Sequence, residues 1–382
     1  MKHEEDQKAL QRFFRTDSCA VHAVSLRGMS HERNNKPMQD SWAAAELENG
    51  WIVMAVADGV GSEPRADEGA RIAATAAVDH VRRFWGCRVD DRSMENMMRA
   101  AYHAASAAIF AQARANRTPM REYSTTLHMV IFSDGLIYIM HAGDGGIAIL
   151  TEEGKIMRLT TPMKGPDGES VVPLQGGRKA WRFSVCRERA QSVLLATDGF
   201  WDKLCPPVLK AYGDAAGVEK GIAGYFMNPW GRDWKNEPLE AIAEKEAGLF
   251  RGEPGQAAAE FRATFGAALA HGETDGEILE EAKEKAAAGQ MQIRLLQGIQ
   301  DDITVLTLVR FDPMPRRVPL EQLMPPDWEK IGRWVQGRLS GATTEAEPPE
   351  TGGDSPAEKE SGAAADGAGA SLPETVHPPE QA

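Results

Sequence analysis

The sequence has 382 residues, enough for one large domain or two ordinary ones, and its apolar (42%) and charged (26%) fractions are those of a globular protein. The formal net charge is −13, and segment 341–382 alone has nine acidic residues and one basic residue. Because the remainder is only mildly acidic, the composition argues against a surface dedicated to nucleic acid, and no polybasic patch indicates membrane binding.

The N-terminal segment and the cysteines indicate the compartment. Residues 1–15 are charged and lack an apolar core, so we expect no signal peptide, and no run of roughly 20 apolar residues predicts a membrane helix. The four cysteines form no CxxC pair, so neither zinc nor disulfides are implied. We therefore expect a reduced, cytoplasmic location.

Seven strands and two long helices are predicted along the chain. Segment 51–57 (WIVMAVA) is almost continuously apolar, which predicts a strand buried on both faces. Ser133-Asp134-Gly135 predicts a hairpin turn between two neighbouring strands. Helical spacing of apolar residues predicts helices over 68–85 and 93–115. The predicted strands are 19–26, 51–57, 125–132, 136–141, 146–150, 192–197 and 303–311.

Runs of strands and helices, without a repeating βαβ unit, predict an α+β fold of packed sheets and helices. The region between Asp198 and Asp301 is mostly helical, and 238–288 is dominated by Ala, Glu and Lys. We interpret about 206–297 as a helical insertion in one main domain. The predicted boundaries are a flexible N-terminus (1–16), the main domain (17–312), a C-terminal extension (313–340) and a disordered acidic tail (341–382).

Acidic residues recur where the predicted strands end. Asp58 follows the strand at 51–57, and Asp198 follows the strand at 192–197. Asp144 lies in Ala-Gly-Asp-Gly-Gly after another strand, and Asp301 and Asp302 directly precede the last strand. Strand ends are where a rigid sheet presents ligands.

Carboxylates gathered at one edge of a sheet repel each other and raise each other's pKa values, which divalent cations would relieve. Oxygen-rich sites without Cys or His suit Mg²⁺, Mn²⁺ or Ca²⁺ rather than zinc. Taken alone, an aspartate at a strand end before Gly is more often a turn residue or a helix cap than a metal ligand. The spacing by itself therefore predicts an oxygen-ligand metal site and nothing more specific.

Six motifs in order make the chain resemble the protein phosphatase 2C (PPM) family, in its bacterial form, over roughly 17–311. The resemblance implies a four-layer α/β/β/α sandwich, in which two antiparallel sheets are flanked by helices and the metals lie in a cleft at one end. The motifs are Gln39-Asp40-Ser41, VADGVGS (56–62), Ser124-Thr125-Thr126-Leu127, AGDGG (142–146), LLATDGFWD (194–202) and DDITVLTL (301–308).

The resemblance implies a site with two Mg²⁺ or Mn²⁺ ions that activate a water for attack on phosphorus. By motif, Asp58 would bridge the two ions and the carbonyl of Gly59 would bind one of them. Asp198 and Asp301 would hold the other ion. Asp58, Asp198 and Asp301 are thus the expected catalytic residues.

Further acids surround this expected core. Asp40 matches an acid near the metal-bound waters, and Asp144 matches the acid that, with Asp198, can bind a third, weaker ion. Asp202 could assist there, or could simply be a solvent-facing helix residue. Asp302 stands where many relatives have Asn, so we expect it to support the site without binding an ion.

Two positions depart from the family pattern. Many members have an Arg that clamps the substrate phosphate five residues before the acid matching Asp40, and here that residue is Asn35. Arg33, Lys36 or His31 could supply the positive charge instead, although each is also explained as a loop residue. Eukaryotic members have a candidate general-acid His where this chain has Val60.

The expected function is a metal-dependent protein serine/threonine phosphatase, a phosphoric monoester hydrolase (EC 3.1.3.16) in signalling, acting on targets of a Ser/Thr kinase. The alternative is a weakly active or inactive sensor or binding module with this fold, which the missing Arg favours. A two-metal nuclease would share the ligand chemistry, but it would need a basic channel. No Cys-x5-Arg, GxSxG or P-loop motif points to another hydrolase or to a kinase.

Overall fold

The structure is a computed structural model that describes residues 10, 12–86, 89–168, 170–214, 216–270, 289–313, 316 and 318–339. These residues belong to one folded unit. The predicted acidic tail (341–382), almost all of the N-terminal ten residues, and 271–288 of the expected insertion lie outside the described residues.

Eleven strands in the described part of the chain form two antiparallel sheets. The six-stranded sheet has the order β1-β2-β11-β10-β7-β8, and the five-stranded sheet has the order β3-β4-β5-β6-β9. The strands are β1 (Phe14–Arg15), β2 (Cys19–Leu26), β3 (Asp40–Glu46), β4 (Ile52–Asp58), β5 (Leu127–Ser133), β6 (Leu136–Ala142), β7 (Gly146–Thr151), β8 (Ile156–Arg158), β9 (Arg182–Cys186), β10 (Ala190–Ala196) and β11 (Ile303–Arg310).

Helices cover the outer face of both sheets. The helices are α1 (Met29–Arg33), α2 (Ala66–Phe84), α3 (Asp91–Asn116), α4 (Asp198–Leu204), α5 (Pro207–Tyr212), α6 (Lys220–Met227), α7 (Leu239–Arg251), α8 (Pro254–Ala270), α9 (Gln290–Leu296) and α10 (Trp328–Leu339). α2 and α3 pack on the five-stranded sheet, and α4 and α6–α9 pack on the six-stranded sheet. The predicted four-layer sandwich is confirmed.

β4 shows why its sequence is almost continuously apolar. Val53, Ala55 and Ala57 face α2 and α3, while alternate residues such as Ile52 and Met54 face the other sheet. All are fully buried. Because successive side chains of a strand point to opposite faces, a strand between two packed layers has no solvent-facing side for polar residues.

The helical layer on the six-stranded sheet comes from segment 206–297, which the sequence suggested as an insertion. Its aromatic residues, such as Phe226 and Phe261, are fully buried against that sheet and the neighbouring helices. α7 is also bound to β2 by a buried contact of 2.9 Å between Glu246 Oε2 and His22 Nε2. This segment is therefore part of the main core.

Four strands were not predicted. The Ala-Ala-Ala run of β3 lacks an alternating pattern, and β1, β8 and β9 are only two, three and five residues long. In the described residues, no helix has the length and the apolar character needed to cross a membrane.

Candidate active site

The aspartates named from the sequence meet where the two sheets end side by side. The β3–β4 pairing puts Asp40 directly opposite Asp58 in the five-stranded sheet. Asp198 begins α4 directly after β10, and Asp301 precedes β11, both in the six-stranded sheet. Asp144 lies in the connection between β6 and β7, which belong to different sheets. Acids distant in sequence are thereby brought to one edge.

Three of these acids form the tightest group. One carboxylate oxygen from each of Asp58, Asp144 and Asp198 lies within 4.8 Å of the other two. Asp301 is exposed and is not in this group; its Oδ1 accepts a hydrogen bond of 2.8 Å from the backbone N–H of Asp302. Asp40 is beside the group, and its Oδ2 accepts a hydrogen bond of 2.7 Å from the hydroxyl of Thr197.

The site is electrostatically unfavourable without cations. Burial, followed by the charges of Asp198 and Asp40, raises the pKa of Asp58 well above its ordinary value. Burial and the charges of Asp144 and Asp301 raise the pKa of Asp198 to about 7. For Asp40, burial is again the largest cause of a strongly raised pKa, and the Thr197 hydroxyl partly opposes it. These raised pKa values show that added positive charge would stabilise the ionised carboxylates.

The end of β4 is held rigidly by its neighbours. The backbone N–H of Asp58 donates to the hydroxyl of Thr126 at 2.9 Å, and its carbonyl accepts from the Thr125 hydroxyl at 2.8 Å. The next residue, Gly59, donates its N–H to the carbonyl of Gln39 at 3.0 Å. A Cβ at Gly59 would lie 2.5 Å from the backbone of Ala66, so the close approach of α2 requires glycine here.

Asp302 is a buried anchor for two loops. Its Oδ1 accepts from the backbone N–H of Gly28 at 2.7 Å, and its Oδ2 accepts from that of Gln39 at 2.5 Å. His31 Nδ1 lies 2.9 Å from the same Oδ2, at ion-pair distance. Asp302 is therefore placed to position Asp40, the neighbour of Gln39.

The three cations suggested for phosphate binding occupy different surroundings. His31 is buried against Asp302, and the Arg33 guanidinium donates to the side chain of Gln300 and to the carbonyl of Met29. Lys36 is exposed, and its ammonium donates to the carbonyl of Gly61 at 3.0 Å, in the loop that follows Asp58.

Asn35, at the position of the family's phosphate-clamping Arg, has a left-handed backbone with φ of 50°. Asn tolerates this conformation better than most residues do, because its short side chain can form local hydrogen bonds. The local backbone thus suits the residue that this chain has here.

One cation at the site was missed by the sequence analysis. The ammonium of Lys164 donates to Asp144 Oδ2, and its positive charge opposes part of the rise in the pKa of Asp198. Lys164 lies between β8 and β9, in an excursion that is bound to the Asp144 loop by the hydrogen bond from Met163 N–H to the Gly143 carbonyl. No motif or periodicity marks Lys164, because only the folded excursion brings it to Asp144.

The residues present fit a site for hard divalent cations. The three clustered ligand atoms are all carboxylate oxygens, which are the ligands that Mg²⁺ and Mn²⁺ prefer. Among the described residues, Asp40 Oδ1 is buried without a hydrogen-bond partner. A buried unsatisfied oxygen beside a repelling acid cluster is the arrangement expected where a cation or its bound water is received.

Comparison with known proteins finds a family similarity over residues 27–216. Comparison with curated protein sequences yields no significant match. The family model described as protein phosphatase 2C matches residues 27–216, which include the Asp40, Asp58, Asp144 and Asp198 motifs. Residues 27–216, just under half of the chain, are thus similar to the protein phosphatase 2C family.

Solved structures similar to this chain include two of the phosphatase PstP and one of RsbX. The Mycobacterium tuberculosis serine/threonine phosphatase PstP/Ppp is 17% identical, with a TM-score of 0.42, covering 76% of this chain and 98% of that one. The PstP catalytic domain in complex with two manganese ions is 18% identical, with a TM-score of 0.43, covering 77% and 99%. RsbX in complex with magnesium is 12% identical, with a TM-score of 0.38, covering 78% and 98%.

Proposed function

We propose that this protein hydrolyses phosphoserine and phosphothreonine in other proteins, with two Mg²⁺ or Mn²⁺ ions bound by its aspartate cluster. The observation that carries the proposal is the meeting of Asp58, Asp144 and Asp198 within 4.8 Å, with raised pKa values at Asp58 and Asp198. When bound, such ions supply positive charge to the phosphoryl group and lower the pKa of a water to make it a nucleophile.

The roles proposed for the residues follow from their placement. Asp58 is central, because it belongs to the group of three acids and the charges of Asp40 and Asp301 also raise its pKa. We propose that Asp58, the Gly59 carbonyl, Asp198 and Asp301 hold the two ions. Asp144 would bind a third ion only by giving up its pairing with Lys164. Asp40 offers its unpartnered Oδ1 to a hydrogen-bond donor such as a bound water.

Lys36 is the best of the three expected phosphate-binding cations. His31 and Arg33 are each engaged by a partner outside the Asp58 loop, whereas the exposed Lys36 ammonium already lies on that loop. Its flexible stem can turn from the Gly61 carbonyl to a bound phosphate. Replacing Lys36 with Gln should raise KM more than it lowers kcat, because the lost contact serves ground-state binding.

The test is an assay of the purified protein on a phosphothreonine peptide and on p-nitrophenyl phosphate, with Mn²⁺, with Mg²⁺ and with EDTA. We expect metal-dependent hydrolysis that EDTA abolishes. Asp58→Asn should lose nearly all of it, while the matched exposed change Asp17→Asn should not. Full activity in EDTA, or in Asp58→Asn, would refute the two-metal mechanism.

The alternative is a weakly active or inactive binding module, and the observation that favours it is Asn35 in place of the phosphate-clamping Arg. Mn²⁺ binding by calorimetry without turnover on either substrate would support it over the phosphatase. For the active enzyme, we propose cytoplasmic signalling proteins phosphorylated by a Ser/Thr kinase as substrates. The free thiols of Cys19, Cys186 and Cys205 accord with a reducing compartment.

A further inference from the structure

A groove of about 740 Å³ lies beside the acid cluster, next to Asp144. Its walls come from the excursion between β8 and β9 and from the neighbouring ends of β6 and β9. Apolar side chains including Met163 and Val172 line it, and three cations face it: Lys164, Lys179 and Arg182. None of the groove's lining residues is acidic.

The groove is continuous with the candidate active site through Lys164. Its ammonium pairs with Asp144 at one end, and its stem lines the groove. The excursion is fixed to the site by two backbone hydrogen bonds, from Met163 N–H to the Gly143 carbonyl at 2.9 Å and from Leu174 N–H to the Thr125 carbonyl at 2.8 Å. A peptide bound along the groove would therefore reach the aspartate cluster at the Lys164 end of the groove.

Away from Lys164, the positive charges of the groove are not neutralised by carboxylates of the described residues. Lys179 and Arg182 are exposed, and no described carboxylate lies within ion-pair distance of either one. The Arg182 guanidinium donates only weakly, at 3.3 Å, to the carbonyl of Lys179. Two unpaired cations in a concave, partly apolar surface are unusual in a chain whose net charge is −13. Such a surface complements carboxylates joined by apolar residues.

We propose that this groove binds acidic residues that flank the phosphorylated side chain of a protein substrate, and so selects acidic phosphopeptides. The proposal rests on the phosphatase function proposed above. Lys179 and Arg182 would pair with Asp or Glu side chains, while Met163 and Val172 contact the stems between them. These contacts lie outside the reacting centre, so they set which peptide binds rather than how phosphorus is attacked.

The experiment compares two phosphothreonine peptides of equal length, one with Asp and Glu near the phosphothreonine and one with Asn and Gln at the same positions. We expect kcat/KM to be about three- to tenfold higher for the acidic peptide, mainly through KM, as for one or two exposed ion pairs. The preference should shrink at high salt.

The decisive variant is the double substitution Lys179→Gln and Arg182→Gln in the full chain. It should bring the acidic-to-neutral ratio of kcat/KM close to one. The matched control is Lys155→Gln with Arg92→Gln, two exposed cations elsewhere, which changes net charge equally and should keep the ratio. Equal ratios in both double variants, or no preference in the unaltered protein, would overturn the proposal.

Two further outcomes distinguish the groove from the catalytic centre and from the acidic tail. Absence of any activity on p-nitrophenyl phosphate would refute the proposed function itself, whereas activity without peptide preference would refute only the groove. A preference that appears only when the nine acidic residues of 341–382 are changed to amides would identify this chain's own tail as the occupant, and would overturn the substrate proposal.

Discussion

Replacing Asp302 with Asn tests whether the buried anchor holds the site together. The carboxylate accepts at both oxygens, from Gly28 N–H on one side and from Gln39 N–H with His31 nearby on the other. An amide has one oxygen and one NH₂ group. Whichever way it turns, the NH₂ group faces a buried backbone donor, so one charge-assisted hydrogen bond is replaced by an unfavourable contact.

The magnitude follows from that loss. A hydrogen bond to a charged group contributes about 1.5–3 kcal/mol, so the free energy of unfolding should fall by about 2–3 kcal/mol. For a domain of roughly 300 residues, that corresponds to a melting temperature lower by about 3–5 °C. Because Gln39 adjoins Asp40, we also expect weaker Mn²⁺ binding.

Urea unfolding and differential scanning calorimetry measure the stability change, and titration calorimetry measures Mn²⁺ affinity. The matched control is Asp17→Asn, the same chemical change at an exposed aspartate, which should stay within about 0.5 kcal/mol of the unaltered protein. If Asp302→Asn is as stable as this control, the carboxylate does not act as the anchor and the reasoning fails.

Three other outcomes are expected. Glu246→Ala should lower the free energy of unfolding by about 3–5 kcal/mol, since it leaves the buried Arg232 without its carboxylate; a loss under about 1 kcal/mol in urea would contradict this. Gly199→Ala should lower the melting temperature and activity, because a Cβ would lie 2.1 Å from a backbone oxygen, whereas Gly248→Ala has open space and should be neutral or slightly stabilising. Burial lowers the pKa of His128 to about 3 in the folded state, against about 6.5 unfolded, so its contribution to stability is complete above pH 6.5 and is lost as the pH falls towards 3. Unfolding at pH 7 and pH 5 should show a loss of about 2 kcal/mol from this group, and His128→Leu should lack it.

The strands could be predicted where their chemistry is local. β4 and β11 are apolar, β-branched runs, and both lie within two residues of the predicted bounds. β3 could not be predicted, because its alanines become a strand only through pairing with β4. The helices of 206–297 were visible as helices, but their place as the layer on the six-stranded sheet depends on contacts such as Glu246 with His22, which lie 224 residues apart.

Some residues of the candidate site could likewise be predicted from local motifs, and others could not. Asp58, Asp144 and Asp198 could be named because each stands in a short motif at a strand end, and the fold brings these three together. The motifs do not show that Asp301 lies outside the tight group. They also could not show Lys164, whose position depends on how one excursion folds back against the Asp144 loop.

The geometry of the acids depends on how the two sheets are joined. Asp40 and Asp58 belong to the five-stranded sheet, whereas Asp198 and Asp302 stand at strand ends of the six-stranded sheet. Two hydrogen bonds join them at the site: Thr197 to Asp40 at 2.7 Å and the Gln39 N–H to Asp302 at 2.5 Å.

Away from the site, the inner faces pack through apolar residues, where Met54 of β4 meets the layer that includes Leu306 of β11. At the far end, Arg310 of β11 pairs with Asp134 of the β5–β6 turn at 2.9 Å. Packed interiors yield little to a change of even one methylene group, so a substitution in this inner layer would move one sheet against the other. Asp58 ends a strand of one sheet and Asp198 follows a strand of the other, so their separation would change with that movement. Core residues far from the cluster therefore help to set the distance between the acids, which explains how a repelling group of buried carboxylates can be held in one arrangement.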